Sequence, residues 1–164
     1  MKTLLILRHA KSSWDDPGLR DHERPLNRRG KRDAPRMGRL IAEHDLVPER
    51  IVSSTAERAR TTAELAAAEF DEDVEIETTR HLYGAPPDEY IEVAEERGGE
   101  AERLMVVGHN PGITALVTRL TGETEYMPTA ALAVVELDIE DWSELGRAGE
   151  GHLAAFWRPK GLPS

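Results

Sequence analysis

Three apolar runs of this sequence end close to residues that can do chemistry. Arg8 and His9 directly follow the first run, His109 follows "LMVVG", and Arg58 lies about one helical turn beyond "RIVSS". Guanidinium groups bind phosphate with two parallel hydrogen bonds. A neutral imidazole is a competent nucleophile near pH 7, because its unperturbed pKa is about 6.5. These side chains together indicate a phosphate pocket that also contains a nucleophile.

Apolar runs and stretches of helical period alternate along the chain, which predicts the elements that must position these residues. The predicted strands cover residues 3–7, 50–53, 74–77, 104–107, 130–137 and 152–157. The predicted helices cover 27–45, 54–70 with Ser54 or Thr55 as its cap, 86–98, and a segment that begins at Asn110-Pro111. Strands separated by helices favour an α/β fold, a three-layer α/β/α sandwich with a mainly parallel central sheet. Ligands bind at the carboxyl ends of such strands, so Arg8, His9, Arg58 and His109 are expected at one edge, beside helix N-termini.

Several local features carry further expectations. Residues 8–26 form a long polar loop, which in a compact domain is often functional. Asn27 is expected to cap the first long helix, and Pro35 to kink it or to mark a late first turn. Asp88 is predicted as a helix cap, and residues 139–150 as an exposed loop.

Composition bounds the classes of protein and partner. The 164 residues predict one domain, 1–164, and a net charge of -10 disfavours nucleic acid and anionic membrane as partners. The first apolar run is too short for a signal peptide or a membrane span. There is no cysteine, which excludes disulfides and thiolate metal sites and is consistent with a cytoplasmic protein.

The remaining histidines predict no metal centre. No two histidines have the i,i+4 spacing of a zinc-binding helix. Surface positions or local hydrogen bonds are expected for His22, His44, His81 and His152. We therefore expect neither a metal ion nor a cofactor.

Motifs around the candidate residues resemble the histidine phosphatase superfamily, also called the phosphoglycerate-mutase-like family. They occur in the family's order: "LRHAKSSWDD", "RPLNRRGKRDA", "SSTAERARTTAE" and "VVGHNPG". The short length, "YMPTAALAVVELD" and a last strand with Trp157 and Pro159 resemble the SixA-type phosphohistidine phosphatases most. The family signature is Arg-His-Gly, and Ala10 replaces the glycine here, as is common in that branch. The resemblance covers nearly the whole chain and implies a phosphoglycerate-mutase-like sandwich.

The resemblance also implies roles for the matching residues. His9 would be the nucleophile that forms a phosphohistidine intermediate, and Arg8, Arg58 and His109 would hold the phosphoryl oxygens. Water would then hydrolyse the intermediate, with no metal required. Arg24, in the loop before Leu26, is predicted to add a further cation at the rim of the pocket.

The general acid stays open at this stage. Larger members of the family use a carboxylic acid to protonate an alkoxide leaving group, and this sequence offers several candidates. They are Asp15, Asp16, Asp21, Asp88 and Glu89. Without such an acid, substrates with good leaving groups are favoured. Phosphorylated imidazole is one, because its leaving nitrogen takes a proton near neutral pH.

The predicted function is therefore a phosphatase that acts through a phosphohistidine intermediate on protein phosphohistidine, as in the SixA-type branch. One alternative is a broad small-molecule phosphomonoesterase of the same fold. A second, from another class, is a non-catalytic module that binds phosphate or a phosphoprotein. The expected partner is a phosphorylated substrate, such as a histidine-phosphorylated signalling protein; the physiological substrate and the oligomeric state are not predicted.

Overall fold

The structure is a computed structural model, and it describes residues 1–162. Its centre is a six-stranded sheet. The strands are β1 (Lys2–Arg8), β2 (Arg50–Ser54), β3 (Ile76–Thr79), β4 (Arg103–Gly108), β5 (Leu132–Leu137) and β6 (His152–Trp157). They lie in the order β3-β2-β4-β1-β5-β6. The first four strands in that order are parallel, and β5 is antiparallel to both β1 and β6.

Helices cover both faces of the sheet. They are α1 (Arg28–Glu43), α2 (Glu57–Ala67), α3 (Pro87–Arg97) and α4 (Gly112–Thr121). In β1, Leu5 and Leu7 pack with Met37 of α1 in one core cluster. Leu4 and Ile6 belong to the cluster on the other face, with residues of α3 and α4. Both faces of β1 are buried, which explains its continuous apolar run. The predicted three-layer, mainly parallel α/β/α fold is confirmed.

The predicted start of α1 agrees with the structure. The Asn27 side chain accepts a hydrogen bond from the Gly30 N–H at 2.9 Å, so it caps the helix. Pro35 lies inside α1 rather than in a late first turn. The α3 helix begins at Pro87, where a proline is tolerated because the N–H would have no helical partner.

Several predicted boundaries differ from the structure, among them the start of β5, which is Leu132 rather than residue 130, and the start of α4, which is Gly112 rather than Asn110. The N-cap of α2 is Ala56 rather than Ser54 or Thr55, and that helix ends at Ala67. The Ser54 hydroxyl instead accepts the Ala56 N–H at 3.2 Å and faces the end of β4. The third strand begins two residues later than predicted, at Ile76.

The prediction of an exposed loop at 139–150 is wrong. This segment contains a 3-10 helix, Trp142–Arg147, in which Trp142 and Leu145 are buried. Asp141 and Glu144 form a capping box at its start, and the Trp142 indole donates to the Ala101 carbonyl at 2.7 Å. The segment therefore covers part of the core.

The prediction that Asp88 caps α3 is also wrong. The N-cap of this helix is Pro86, without a side-chain cap, and Asp88 instead forms an ion pair with Arg119.

The long loop between β1 and α1 has internal structure. It contains a 3-10 helix, Asp21–Glu23, and an isolated antiparallel bridge joins Ser12 to Leu26 near its two ends. The Asn27 N–H donates to the Lys11 carbonyl at 2.9 Å, and the Ala10 N–H donates to the Thr62 hydroxyl of α2 at 2.9 Å. These bonds hold the loop over the carboxyl end of the sheet. Among the described residues, no helix is long and apolar enough to cross a membrane.

Candidate active site

Two neighbouring strands place the two candidate histidines side by side. β1 and β4 are parallel, and their register pairs Arg8 with Gly108, so His9 and His109 leave the sheet at the same level. The His9 N–H donates to the Gly108 carbonyl at 3.0 Å. The centroids of the two imidazole rings are 5.1 Å apart. The predicted convergence of these residues on one sheet edge is thus present.

The His9 ring is held in one orientation. Its Nδ1 lies 2.8 Å from the Ala10 carbonyl oxygen, which can only accept, so Nδ1 carries the proton. Nε2 is therefore the nitrogen with the free lone pair. Burial, together with the charges of Arg8 and Arg58, lowers the pKa of His9 to about 4, although the bond to Ala10 acts in the opposite direction. The ring is neutral at pH 7, as a nucleophile must be.

His109 is fixed by two hydroxyl groups. Its Nε2 lies 2.8 Å from the Ser54 hydroxyl, and its backbone N–H donates to the Tyr90 hydroxyl at 3.0 Å. Ser54 Oγ already accepts the Ala56 N–H, and its own O–H can donate to Nε2. In that arrangement Nδ1 is the protonated nitrogen. Burial, with the nearby His9 and Arg58, lowers the pKa of His109 to about 3, so the ring is a neutral donor at pH 7.

Arg58 is held by Asp21 from the long loop. Its guanidinium donates to the Asp21 carbonyl at 2.6 Å and to the Asp21 carboxylate at 2.9 Å. The Tyr83 hydroxyl donates to the same carboxylate at 2.7 Å. Burial alone would raise the pKa of the Asp21 carboxyl, but the bonds from Tyr83 and Arg58 leave it lower than its ordinary value. Asp21 is therefore an anion at neutral pH.

Thr62 links the loop that follows His9 to the helix that carries Arg58. Its hydroxyl accepts the Ala10 N–H and donates to the Arg58 carbonyl at 2.6 Å. Thr62 is fully buried. The relative position of His9 and Arg58 therefore depends on this one side chain.

The other two arginines reach the same region from different segments. Arg8 donates to the Met127 carbonyl at 3.1 Å and to the Tyr126 hydroxyl at 3.3 Å. Arg24 lies 4.0 Å from the Asp21 carboxylate, and its guanidinium stacks on the Trp14 ring. Arg24 is only 5% exposed, so this predicted rim cation is buried.

Buried donors without a partner mark this region. Among the described residues, the buried side-chain nitrogens with no hydrogen-bond partner in the protein are Arg8 Nε, Arg24 Nε and Nη2, and His109 Nδ1. All belong to residues predicted for the site. An unsatisfied buried donor costs about 1–3 kcal/mol, more when it is charged. His109 and Arg8 are neighbours of His9, and Arg24 lies beside Asp21, so donors of this kind fit an anion that supplies several acceptor oxygens.

The candidates for a general acid differ in whether they contact a residue of the site. Asp21 contacts Arg58 directly, as described above. Asp16 accepts the Gly18 N–H of its own loop, Asp15 is exposed, and Asp88 bonds to Arg119. Glu89 is half-buried near the start of α3. Asp21 is therefore the candidate with a contact to a site residue.

Some residues of the site were missed by the sequence prediction. The hydroxyl groups of Ser54, Thr62, Tyr83 and Tyr90 position the histidines and Arg58, and no spacing in the sequence singles them out. Two of them, Tyr83 and Tyr90, lie in "HLYGAPPDEY", in which the sequence predicts only Asp88 and Glu89 as candidate acids.

The other histidines lie where they were expected. Nε2 of His22 is 2.8 Å from the Thr55 hydroxyl, and His44 stacks on Trp157. His81 and His152 are exposed. Within residues 1–162, no group of three or more histidine or carboxylate side chains is arranged to hold a metal ion.

Comparison with known proteins identifies the family. Residues 4–83 match the model of the histidine phosphatase superfamily (branch 1). An uncharacterized protein of Mycobacterium tuberculosis is 34% identical, over 94% of this chain and 100% of its own length. The chain belongs to the histidine phosphatase superfamily.

Solved structures support the same assignment. The putative phosphohistidine phosphatase SixA from Agrobacterium tumefaciens is 30% identical, with a TM-score of 0.82 over 96% of this chain and 98% of that one. A putative SixA phosphatase from Nakamurella multipartitia is 26% identical, with a TM-score of 0.87 over 98% and 97%. Both likenesses cover nearly the whole chain, and the chain is of the SixA type.

Proposed function

We propose that this protein is a phosphatase that hydrolyses protein phosphohistidine through a phosphorylated His9. The observation that carries the proposal is the group of unpartnered buried donors on Arg8, Arg24 and His109, together with the free Nε2 of His9. We assign His9 as the nucleophile and Arg8, Arg58, His109 and Arg24 as phosphate ligands. The elements that supply them span most of the chain, so we propose residues 1–164 as one phosphatase domain.

The first step is the transfer of the phosphoryl group to His9. Nε2 forms a bond to phosphorus while the bond from phosphorus to the leaving group breaks, and the leaving group takes the electron pair. The proton stays on Nδ1, hydrogen-bonded to the Ala10 carbonyl oxygen, and this bond stabilises the charge that develops on the ring. The arginines stabilise the charge on the three equatorial oxygens.

The second step restores the enzyme. Water attacks phosphorus, the bond to Nε2 breaks, and inorganic phosphate leaves with the proton of the water. The ring returns to the neutral form that its lowered pKa favours. The cationic charge for both steps comes from arginines, so we propose that the reaction needs no metal ion and that EDTA leaves its rate unchanged.

The state of Asp21 supports phosphohistidine as the substrate. This carboxylate contacts Arg58, and the lowered pKa keeps it ionised at pH 7, so it has no proton to give to an alkoxide. An alkoxide leaves poorly without a general acid, whose help is typically worth about 10²–10⁴ in rate. Imidazole is protonated readily near neutrality and needs less help. The putative SixA phosphatases named above are described as phosphohistidine phosphatases, which agrees with this choice.

Single-turnover rates on matched substrates test the proposal. A histidine-phosphorylated protein and a phosphoserine peptide are compared with wild type and with His9→Ala. We expect faster transfer from phosphohistidine in the chemical step, by about 10²–10⁴. His9→Ala is expected to abolish turnover and to stay folded.

The alternatives correspond to distinct outcomes. Equal rates on both substrates would support the broad phosphomonoesterase instead. Binding of both substrates by wild type without release of phosphate would support a non-catalytic module. Turnover by His9→Ala near the wild-type rate would overturn the assignment of the nucleophile.

A further inference from the structure

Two exposed aromatic rings lie next to the proposed active site. The large hydrophobic residues that are exposed, among those the structure describes, are Met1, Trp14 and Tyr126. Trp14 is 70% exposed and Tyr126 is 63% exposed. A single exposed apolar residue is ordinary in a globular protein. It is less ordinary that both aromatic members of this group contact an arginine of the site.

The two contacts leave most of each ring free. The Arg24 guanidinium carbon lies 3.0 Å from the centroid of the Trp14 ring, so it covers one face of the indole. The Tyr126 hydroxyl accepts a hydrogen bond from Arg8, whereas its ring extends into solvent. Arg24 and Arg8 are also the arginines that carry unpartnered buried donors. Each exposed ring therefore adjoins an arginine that we assign to the phosphate pocket.

The rings come from separate segments. Trp14 belongs to the loop between β1 and α1, and Tyr126 to the segment between α4 and β5. Each ring contacts a different arginine of the site, Arg24 or Arg8. Aromatic side chains are enriched at protein interfaces, because they bury a large area with few rotatable bonds.

Carboxylates accompany the rings. Asp15 and Asp16 follow Trp14 and are exposed, and Glu123 is exposed three residues before Tyr126. They add to the net charge of -10. A small compound with several anionic groups is repelled by such a rim, whereas a neutral or basic peptide with one phosphoryl group is not.

We propose that Trp14 and Tyr126 form an aromatic rim that binds the protein segment around the phosphorylated residue and so selects phosphoproteins over small phosphorylated compounds. This inference rests on the proposed function, because it assumes that the phosphoryl group enters the pocket lined by Arg8 and Arg24. The rim contacts the substrate outside the phosphoryl group, so its effect belongs to substrate binding.

The test compares two substrates that share the phosphorus–nitrogen bond. A histidine-phosphorylated peptide with flanking basic residues can reach the rim, whereas phosphoramidate fills only the phosphate pocket. The measured ratio is kcat/KM for the peptide divided by kcat/KM for phosphoramidate. We expect Trp14→Leu and Tyr126→Leu each to lower this ratio by about tenfold, because the KM for the peptide rises. That is the loss typical of truncating one aromatic anchor of an interface.

Conservative variants separate the ring from its contact with arginine. Trp14→Phe and Tyr126→Phe keep an aromatic ring, and the second removes the hydroxyl bonded to Arg8. Both are expected to keep most of the wild-type ratio. Pro17→Ala, at an exposed position of the loop that carries Trp14, is the matched control and is expected to keep all of it.

Each outcome decides between the rim and its competitors. Equal losses on both substrates in the leucine variants would mean that the rings only hold the arginines, which overturns the rim. An unchanged ratio in both leucine variants would overturn it as well. A wild-type protein that hydrolyses neither substrate would refute the proposed function, whereas turnover of both with an unchanged ratio would refute the rim alone.

Discussion

Burial determines the chemistry of the two imidazoles at the residue scale. His9 and His109 are each 6% exposed, and burial is the largest cause that lowers their pKa values to about 4 and about 3. An exposed histidine would be partly protonated near neutral pH. Here both rings are neutral, so one can attack phosphorus and the other can donate a single hydrogen bond. The arginines supply the positive charge of the pocket.

The contact between Asp21 and Arg58 leads to the first prediction at this scale. Arg58→Ala is expected to lower kcat/KM by about 10²–10³, as for the loss of one preorganised charge partner.

Asp21→Asn keeps the shape of the side chain but weakens the bond that orients Arg58, so we expect about a tenfold loss of kcat/KM, equal on alkyl phosphate and on phosphoramidate. Steady-state kinetics on both substrates measure it, with Asp16→Asn of the same loop as control. A loss confined to the alkyl phosphate would instead identify Asp21 as a general acid.

Elements with a strong local pattern could be predicted from the sequence. The apolar runs of β1 and β4 and the Asn27 cap are local signals, and the parallel sheet then brings His9 and His109 to one edge. The bonds of Asp21 to Arg58 and of Thr62 to Ala10 join segments far apart in the chain. No periodicity or capping rule indicates such contacts, so the positioning roles of Asp21 and Thr62 could not be assigned in advance.

The 3-10 helix Trp142–Arg147 could not be predicted for a different reason. Trp142 and Leu145 are three residues apart and face the core, but the segment is too short and too polar for an apolar period to stand out. The sequence feature that indicates this helix is the pair Asp141 and Glu144, which has the spacing of a capping box. Short elements of this kind are recognised by their caps rather than by their hydrophobicity.

The end of β4 carries the prediction at the element scale. A Cβ added at Gly108 would lie 2.0 Å from the hydroxyl of Tyr90, which is buried and binds the His109 N–H. Gly108→Ala is therefore expected to destabilise the protein by about 1–3 kcal/mol through overpacking, and to lower activity because Tyr90 must move. Urea denaturation with parallel kinetics tests it. Gly149→Ala is the control, since a Cβ there has nothing within 4 Å, and equal stability of both variants would contradict the prediction.

The whole molecule combines an acidic surface with a cationic pocket. The net charge is -10, yet Arg8, Arg24 and Arg58 meet at one edge of the sheet. The general field slows the approach of anions, so capture of a phosphoryl group depends on the local field of the arginines. The two buried histidines are uncharged at neutral pH, so the positive charge of the pocket comes from the arginines alone.

The same burial makes the stability of the whole molecule depend on pH. In the unfolded chain both imidazoles have a pKa near 6.5, whereas in the folded protein the pKa values are about 4 for His9 and about 3 for His109. Between pH 6.5 and 4 the unfolded state therefore binds more protons than the folded state. The free energy of unfolding therefore rises with pH across this window and falls as the pH is lowered. Each histidine changes it by up to about 1.4 kcal/mol per pH unit.

Urea denaturation from pH 4 to 8 in phosphate-free buffer measures this dependence. The variants His9→Gln and His109→Gln each remove one group that must stay neutral, so each is expected to flatten the pH dependence between pH 4 and 6.5. His81→Gln removes an exposed imidazole and is the matched control. If all three variants kept the wild-type slope, the buried histidines would not be the origin of the pH dependence. A flatter slope in the two site variants alone would tie the acid sensitivity of the fold to the rings that we assign to catalysis.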